Sequence, residues 1–484
     1  MITEDEYIVP HYDKKAIFKY LFLAVVTIAF WRVTLGFGAI LATLLIISAI
    51  RQDKPIQMLF WVLFITLSAA GNRQIFTTNI ASVLIVRITL MMLTIILASR
   101  LAGRGHGMMM MTPFWGIMAY ICWEYLISYQ GFQPTVSYLK LILFTCVFLS
   151  MFGVTNMVNR SMRTDARMLR ASILALMILI LFGSVLIIPI PSLSLMVVDE
   201  NILEAMLLGD ITSLFRGMTA HSQVMGPMAG VMGTFLFADL AFSIRKWDKL
   251  YLALLICCPI LIYKSSSRTG MGTFIAGIGM TIYLIMKAKG LGAQWKGKLV
   301  GVFNVLMVIC AIAVIVVPSM RNKISGFILK WDKTGEQTLS AESVLSTRQA
   351  KIDIALRNFR DKPIQGNGFQ VSEDMSYEKR EGFISYMIAP IEKGVWVYAI
   401  LEEGGVVGFV LFSLWLIVLF RLLIERHAYI GACVFFAFLT ANLGEFSMFS
   451  MTYVGGFYWM LVFAAICLDV QRMKSEDLPV FMYP

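Results

Sequence analysis

The chain has 484 residues, of which 58% are hydrophobic and only 15% are charged, and its mean hydropathy is +0.77. Soluble domains carry about 25% charged residues, so this composition excludes a water-soluble globular enzyme and indicates a membrane protein. The net charge of +11 is explained by basic loops in contact with anionic lipid. No soluble basic domain is evident that would bind nucleic acid, so no nucleic-acid partner is predicted.

Apolar segments long enough to cross a hydrocarbon core recur along the chain. Because backbone groups in lipid must be satisfied internally, these segments are predicted to be helices. The sequence therefore predicts an all-α fold, a polytopic transmembrane helix bundle of about 12 to 14 spans. The segments lie at residues 16–31, 35–50, 57–70, 79–99, 108–129, 136–154, 170–190, 222–244, 249–263, 270–287, 299–318, 404–424, 428–445 and 452–469.

A long polar interruption separates the late spans, from about Met320 to Lys393. Within it, apolar residues recur at helical spacing between Ser343 and Arg360, which predicts an amphipathic helix that Pro363 ends. The interruption divides the chain into three predicted parts: an N-terminal bundle at 1–318, an extracytoplasmic catalytic loop with short helices at 319–403, and C-terminal spans with a cytoplasmic tail at 404–484.

The distribution of Lys and Arg among the short loops predicts the orientation of the chain. Basic stretches lie at 159–170, 245–249, 287–298 and 421–426, and they alternate with basic-poor loops at 130–135, 191–215 and 446–451. By the positive-inside rule the basic set and both termini face the cytoplasm. The other loops, including the long polar one, are predicted to face outward.

Arginines recur on the predicted outward side, where the positive-inside bias should remove them. Arg268 lies in a short turn after three serines, and its guanidinium can bind phosphate oxygens through two parallel hydrogen bonds. Ser267 and the following helix N-terminus add donors for an anion. A lone arginine here could instead anchor the chain to lipid headgroups. The recurrence favours a clamp on an anionic ligand, and its members are Arg73, Arg216, Arg268, Arg348 and Lys393.

Three more ionisable residues, Arg87, Glu124 and Lys140, lie inside predicted spans, in their outer halves. Ionisable groups at that depth are costly and usually mark a pathway or a site. The alternatives are that Arg87 pairs with Glu124, and that Lys140 extends its ammonium group to the interface. A basic cavity at this level suits a lipid diphosphate better than a metal cluster.

His221 is the one histidine of four on the predicted outward side, just before an apolar span. It could relay a proton near neutral pH, or it could cap the start of that helix. Glu392 on one side and Glu402-Glu403 on the other bracket a short apolar segment. One of these carboxylates could deprotonate an acceptor hydroxyl, a second could cap a helix or pair with an arginine, and Glu445 is a further candidate. The sequence does not choose among them. The seven cysteines fall in apolar spans without metal-ligand spacing, so no metal or cofactor is predicted.

Several ordered motifs resemble those of the O-antigen ligase/polymerase superfamily of bacterial envelope proteins. Ser266-Ser267-Arg268-Thr269-Gly270 is similar to that family's Ser-Arg-Ser/Thr-Gly element. Thr347-Arg348 followed by Pro363-Ile-Gln-Gly366-Asn-Gly368 resembles its loop, and Glu403-Gly-Gly405-Val-Val-Gly408 resembles the start of its next span. Arg216 to Gln223 also resembles the stretch ahead of a central span. The resemblance covers roughly residues 210–470.

One position departs from the family pattern. Many members place His-Asn shortly before the Glu of the last motif, where this chain has Gly394-Val395 beside Glu392-Lys393. The catalytic histidine of those relatives is therefore absent. The candidates for its role, acceptor activation or orientation, are Glu392, Lys393 and His221. Arg268 and Arg348, with Arg216 and Ser267 as auxiliary residues, are the candidates to bind the substrate diphosphate.

The resemblance implies a metal-independent glycosyltransferase of the bacterial inner membrane, with its active site on the periplasmic side. It would polymerise undecaprenyl-diphosphate-linked oligosaccharide units of an exopolysaccharide or O-antigen. Its partners would be the lipid-linked glycan donor, a glycan acceptor, membrane lipids, and a chain-length regulator or export machinery. Two alternatives remain: a ligase that transfers the glycan to lipid A core or another acceptor, and a transporter or flippase of a lipid-linked or anionic solute.

Overall fold

The computed structural model describes residues 12–33, 38–52, 54–76, 111–160, 165–195, 215–288, 294–301, 341–372, 394–444, 447–451 and 454–475. These residues are helical almost throughout and include no β-strand, which confirms the predicted all-α fold. Extended pairing within these ranges is limited to two isolated bridges, Gly71 with Thr219 and Leu195 with Phe215.

The described helices follow the apolar segments closely. They are α1 (Lys14–Val33), α2 (Gly38–Arg51), α3 (Pro55–Ala69), α4 (Arg73–Phe76), α5 (Met111–Ile127), α6 (Pro134–Arg160), α7 (Ala166–Leu186), α8 (Pro191–Ser194), α9 (Ser222–Ile244), α10 (Lys249–Lys264), α11 (Arg268–Lys287), α12 (Ala341–Asp361), α13 (Trp396–Glu425), α14 (Tyr429–Gly444) and α15 (Val454–Ser475). Both α7 and α9 contain a π-helical turn, at Ile178–Phe182 and Leu240–Ile244.

Seven of the described helices are long and apolar enough to cross a membrane, and they are α1, α6, α7, α9, α11, α13 and α15. The chain is therefore a polytopic membrane protein. The predicted span at 79–99 and most of the one at 299–318 lie outside the described residues, so the total of about 12 to 14 stays a prediction. The division into three parts also stays a prediction.

Helix termini gather at two opposite ends of the bundle, which we name the Ser267 end and the Asp248 end. At the Ser267 end, Gly444 at the end of α14 packs on Thr269 in the first turn of α11, and the Phe369 ring lies 5.0 Å from the Phe449 ring. At the Asp248 end, the Tyr12 hydroxyl donates to the Asp248 carboxyl at 3.2 Å.

The helices α9 and α11 run parallel and pack closely because glycines line their contact. A Cβ on Gly277 would lie 1.9 Å from Oγ1 of Thr234, and a Cβ on Gly230 would lie 2.8 Å from the carbonyl oxygen of Gly270. Between membrane helices there is no hydrophobic driving force, so close backbone contact of this kind supplies the packing energy.

Gly277→Ala is expected to lower the free energy of unfolding by about 1 to 3 kcal/mol, because the new methyl group overpacks the contact with Thr234. Gly279 is the matched control, since a Cβ there meets nothing within 4 Å, and Gly279→Ala should raise helix stability by about 0.5 to 1 kcal/mol. Thermal unfolding of the purified proteins in detergent measures both. Equal midpoints for the two variants would contradict the packing described.

A buried ion pair joins three helices near the Asp248 end. Nε of Arg170 in α7 lies 2.7 Å from Oδ2 of Asp239 in α9, and Nη2 lies 3.1 Å from Oδ1. The Tyr251 hydroxyl of α10 donates to the same carboxyl. A buried carboxyl held by three donors is satisfied without water, so this cluster fixes the three helices together.

Candidate functional site

Two helix N-termini lie side by side at the Ser267 end. His221 caps α9, since its Nδ1 accepts a hydrogen bond from the backbone N–H of Gln223 at 3.1 Å. Ser267 caps α11, since its Oγ accepts from the N–H of Gly270 at 3.0 Å. The first turn of a helix carries unsatisfied N–H groups and a partial positive charge. The two parallel helices therefore direct positive ends toward the same surface.

Two glycines make this close placement feasible. A Cβ on Gly226 would lie 2.1 Å from Cβ of Ser267, and a Cβ on Gly270 would lie 2.4 Å from the carbonyl carbon of Gly226. No larger residue fits at either position without moving a backbone. The predicted site residues His221 and Ser267 are thus brought to one region, because Gly226 is five residues from His221 and helices rise about 1.5 Å per residue.

Arg216 and Arg268 flank these N-termini in the chain. Arg268 is the first residue of α11 and is partly exposed, whereas Arg216 is only 7% exposed. The backbone N–H of Arg216 donates to the carbonyl of Ser194 at 2.9 Å, and its own carbonyl accepts from the Thr219 hydroxyl at 2.7 Å. Folding thus brings Arg216, Ser267, Arg268 and His221 to the Ser267 end.

Asn72 holds the Arg216 segment in place. Its backbone N–H donates to the carbonyl of Met218 at 2.9 Å, and its side-chain amide donates to the carbonyls of Leu193 and Gly217 at 2.7 and 2.8 Å. Asn72 is fully buried. A buried amide with these partners fixes the loop because each bond would be costly to lose. Arg73, which follows it, begins α4.

The second part of the site is a break in α13. Gly405 has φ 63° and ψ −165°, outside the helical region, so the chain turns there before the helix continues. The loop after α12 docks into the break: N–H of Asn367 donates to the carbonyl of Glu402 at 2.8 Å, and N–H of Gly368 donates to that of Glu403 at 2.9 Å. After the break, the N–H of Val406 donates to the carbonyl of Pro363 at 2.9 Å. Two of the sequence motifs therefore contact each other.

Glu402 links three segments at this joint. Its Oε1 accepts from the side-chain amide of Asn358 in α12 at 2.8 Å and from the hydroxyl of Ser372. The Asn367 amide donates to the Asn358 carbonyl at 2.9 Å. All four residues are buried. We name this set, Asn358, Asn367, Ser372 and Glu402, the α12–α13 joint.

Sequence reasoning named Glu402 only as one of several candidate carboxylates, and it did not place Asn358 or Ser372 in the site. One signal for Asn358 was present, because it follows Ile354 by four residues and Ala355 by three, on the apolar face of the amphipathic helix. A polar side chain on a buried face needs a hydrogen-bond partner, and Glu402 supplies one.

Glu402→Ala is expected to destabilise the protein by about 2 to 3 kcal/mol, because it leaves the buried donors of Asn358 and Ser372 without that acceptor. Glu425→Ala is the control on the same helix, since Glu425 is exposed and its solvent-screened ion pair with Arg421 should contribute little to stability. Thermal unfolding in detergent measures both. A stability loss no greater for Glu402→Ala than for the control would contradict the joint.

Glu124, Glu403 and Lys140 are buried beside this joint. Oε1 of Glu124 would lie 2.5 Å from a Cβ on Gly404, and the Tyr120 phenol interacts with both carboxyl groups. Nζ of Lys140 donates to the carbonyl of Gln370 at 3.1 Å. The ammonium of Lys140 therefore binds the docked loop rather than extending to the membrane interface.

Some predicted site residues fall outside these contacts. Glu392, Lys393 and Arg87 lie outside the described residues, and Arg348 lies in α12, where the backbone is described. Within the described ranges, no group of three or more His, Cys, Asp and Glu side chains is arranged to hold a metal ion.

No protein-family model matches this chain, and no curated protein matches it significantly.

Proposed function

We propose that this protein is a membrane glycosyltransferase that polymerises undecaprenyl-diphosphate-linked oligosaccharide units, with the donor diphosphate bound at the Ser267 end. The observation that carries the proposal is the pairing of the N-termini of α9 and α11. Arg268 begins α11 and Arg216 lies shortly before α9. Two positively polarised helix N-termini with two nearby arginines suit a ligand that has two phosphate groups. The resemblance of the same stretches to the O-antigen ligase/polymerase superfamily supports this reading.

The charge distribution supports an outward-facing site in the bacterial inner membrane. Exposed basic residues lie at the Asp248 end, including Lys14, Arg167, Lys246, Lys249 and Arg421. Positive loops stay on the cytoplasmic side, so the Ser267 end would face the periplasm. A donor flipped to the outer leaflet would then meet the site directly.

The proposed transfer exchanges one C–O bond for another. An acceptor hydroxyl attacks the anomeric carbon of the donor glycan, the bond from that carbon to the diphosphate breaks, and the hydroxyl proton passes to a base. Undecaprenyl diphosphate leaves with the negative charge that develops on it. Preorganised guanidinium groups stabilise that charge in the transition state, a role that metal ions have in other glycosyltransferases. Glu392 and Lys393 remain the candidates for acceptor activation.

The cap on α9 gives His221 a different part in this scheme. Because Nδ1 accepts a hydrogen bond from Gln223, the proton of the neutral imidazole resides on Nε2. A ring in this tautomer donates from Nε2 and does not accept a proton there. We therefore assign His221 to donor binding or orientation, alongside Ser267, rather than to removal of the acceptor proton.

Reconstitution tests the proposal most directly. The purified protein in liposomes, given a labelled polyprenyl-diphosphate oligosaccharide, should form new glycosidic bonds and release polyprenyl diphosphate. Translocation of intact substrate without new bonds would instead identify a flippase. In a null strain, accumulation of single lipid-linked units would indicate a polymerase, and accumulation of long lipid-linked polymer would indicate a ligase.

A further inference from the structure

A basic and aromatic corner lies at the Asp248 end, far from the candidate site. It is formed by the end of α9, the start of α10 and a helical segment at residues 294–301. The indole N–H of Trp295 donates to the carbonyl of Ala241 at 3.0 Å, which holds the 294–301 segment against α9. The Trp247 and Trp295 rings pack edge to face with centroids 5.3 Å apart. Three stretches of chain thus form one surface, which we name the Trp247 corner.

Exposed cations surround the two tryptophans. Lys246 in the α9–α10 linker, Lys249 at the start of α10 and Lys298 in the 294–301 segment are all exposed. Asp248 is the single acidic residue in 240–249 and 294–301. Its Oδ1 accepts from the N–H of Leu250 at 2.9 Å, and its carboxyl also accepts from the Tyr12 hydroxyl. Because the basic residues outnumber this one carboxylate, the corner has a net positive charge.

The surroundings of Tyr12 raise the pKa of its phenol. Burial, followed by the negative charge of Asp248, raises the pKa of Tyr12 to about 12. The phenol therefore keeps its proton near neutral pH and continues to donate to Asp248.

An apolar stripe leads away from the corner along α10. Leu252, Ile256 and Ile260 are exposed, and their spacing of four residues puts them on one face of the helix, continuing from Lys249. Trp247, which is 39% exposed, stands at the boundary between the basic and the apolar parts. Tryptophan prefers this position at membrane–water interfaces. The basic corner followed by the apolar stripe matches a phospholipid, which has a charged headgroup followed by an apolar chain.

We propose that the Trp247 corner is a binding site for an anionic phospholipid. The phosphate and headgroup contact Lys246, Lys249 and Lys298, and one acyl chain lies along Leu252, Ile256 and Ile260. Each lysine near an anionic lipid surface strengthens the attraction to the lipid headgroup. The site is independent of the proposed transferase activity, because it lies at the opposite end of the bundle.

Lipid retention tests the site. The full-length protein is placed in nanodiscs that contain equal amounts of phosphatidylglycerol and phosphatidylcholine. It is then released, and native mass spectrometry counts the lipids that it retains. The triple variant Lys246→Gln, Lys249→Gln and Lys298→Gln should retain phosphatidylglycerol at least about tenfold more weakly, since about 1.4 kcal/mol is a factor of ten. The matched control removes three exposed lysines at the same end, as Lys14→Gln, Lys15→Gln and Lys19→Gln.

The control should change retention by less than about twofold. An equal loss in both triple variants would show a general charge effect and overturn the site, as would equal retention of the two lipids by the unmodified protein. If the first triple variant does not fold, Lys298→Glu serves in its place, because residue 298 lies outside the spanning helices. Unchanged phosphatidylglycerol retention by Lys298→Glu would also overturn the proposal.

Discussion

Arg268→Ala is expected to reduce polymer formation by about 100-fold or more while leaving the amount of protein in the membrane unchanged. Removal of one preorganised donor from a developing anion costs about 10² to 10³ in rate, and Arg268 begins α11 at the paired N-termini. Arg268→Lys should recover only part of the activity, because an ammonium keeps the charge but loses the bidentate geometry. Polymer amount and chain length in vivo, and transfer in liposomes, measure the effect.

Arg421→Ala provides the control for that experiment. Arg421 is an exposed arginine at the opposite end of the bundle, paired with Glu425, and its loss should leave polymer formation unchanged. Arg348→Ala is expected to act like Arg268→Ala if both hold the diphosphate. Normal polymer from Arg268→Ala and from Arg348→Ala, each at normal abundance, would refute the diphosphate role.

Gly405→Ala is expected to destabilise the protein by about 3 to 5 kcal/mol. A residue with a side chain is strained at φ 63°, which costs about 1 to 3 kcal/mol. The new Cβ would also lie 2.2 Å from the carbonyl oxygen of Ile364 and 2.8 Å from the backbone nitrogen of Gln365. Both are backbone atoms of the docked loop, so neither can rotate away, and the loop must leave the break.

The matched control is Gly272→Ala, in the second turn of α11. A Cβ there meets nothing within 4 Å and the φ of Gly272 is not positive, so the substitution should be neutral or slightly stabilising. Thermal unfolding in detergent and limited proteolysis of the loop measure both variants. If Gly405→Ala unfolds at the same temperature as Gly272→Ala, the break does not have the strained geometry described.

Hydropathy was sufficient to predict the helices, because a chain in lipid must satisfy its backbone within each segment. The predicted span at 249–263 is observed as Lys249–Lys264, and the amphipathic helix between Ser343 and Arg360 is observed as Ala341–Asp361. The grouping of His221 with Ser267 was also foreseen as a shared side of the membrane. The packing of α9 on α11 at Gly226 and Ser267 was not predicted, because glycine spacing alone does not identify which helix packs on which.

The joint at α13 shows where sequence reasoning reached its limit. The motifs around Gly366 and Gly405 were recognised separately, but nothing local predicts that one docks into the other. Glu402 and Glu403 were both noted as carboxylates beside the short apolar segment, but the sequence did not distinguish their roles. Neighbouring residues on a helix point in directions about 100° apart, so only the tertiary contact with Asn358 identifies Glu402 as the residue that joins the two helices.

The broken helix also has a consequence for how the chain is assembled during synthesis. The carbonyls of Glu402 and Glu403 and the amide of Val406 find their partners in residues 363–368, which leave the ribosome before α13 does. These partners are therefore already synthesised when the interrupted helix enters the bilayer. We expect α13 to insert without exposing bare peptide groups to hydrocarbon, and its biogenesis to need none of the helices that follow it.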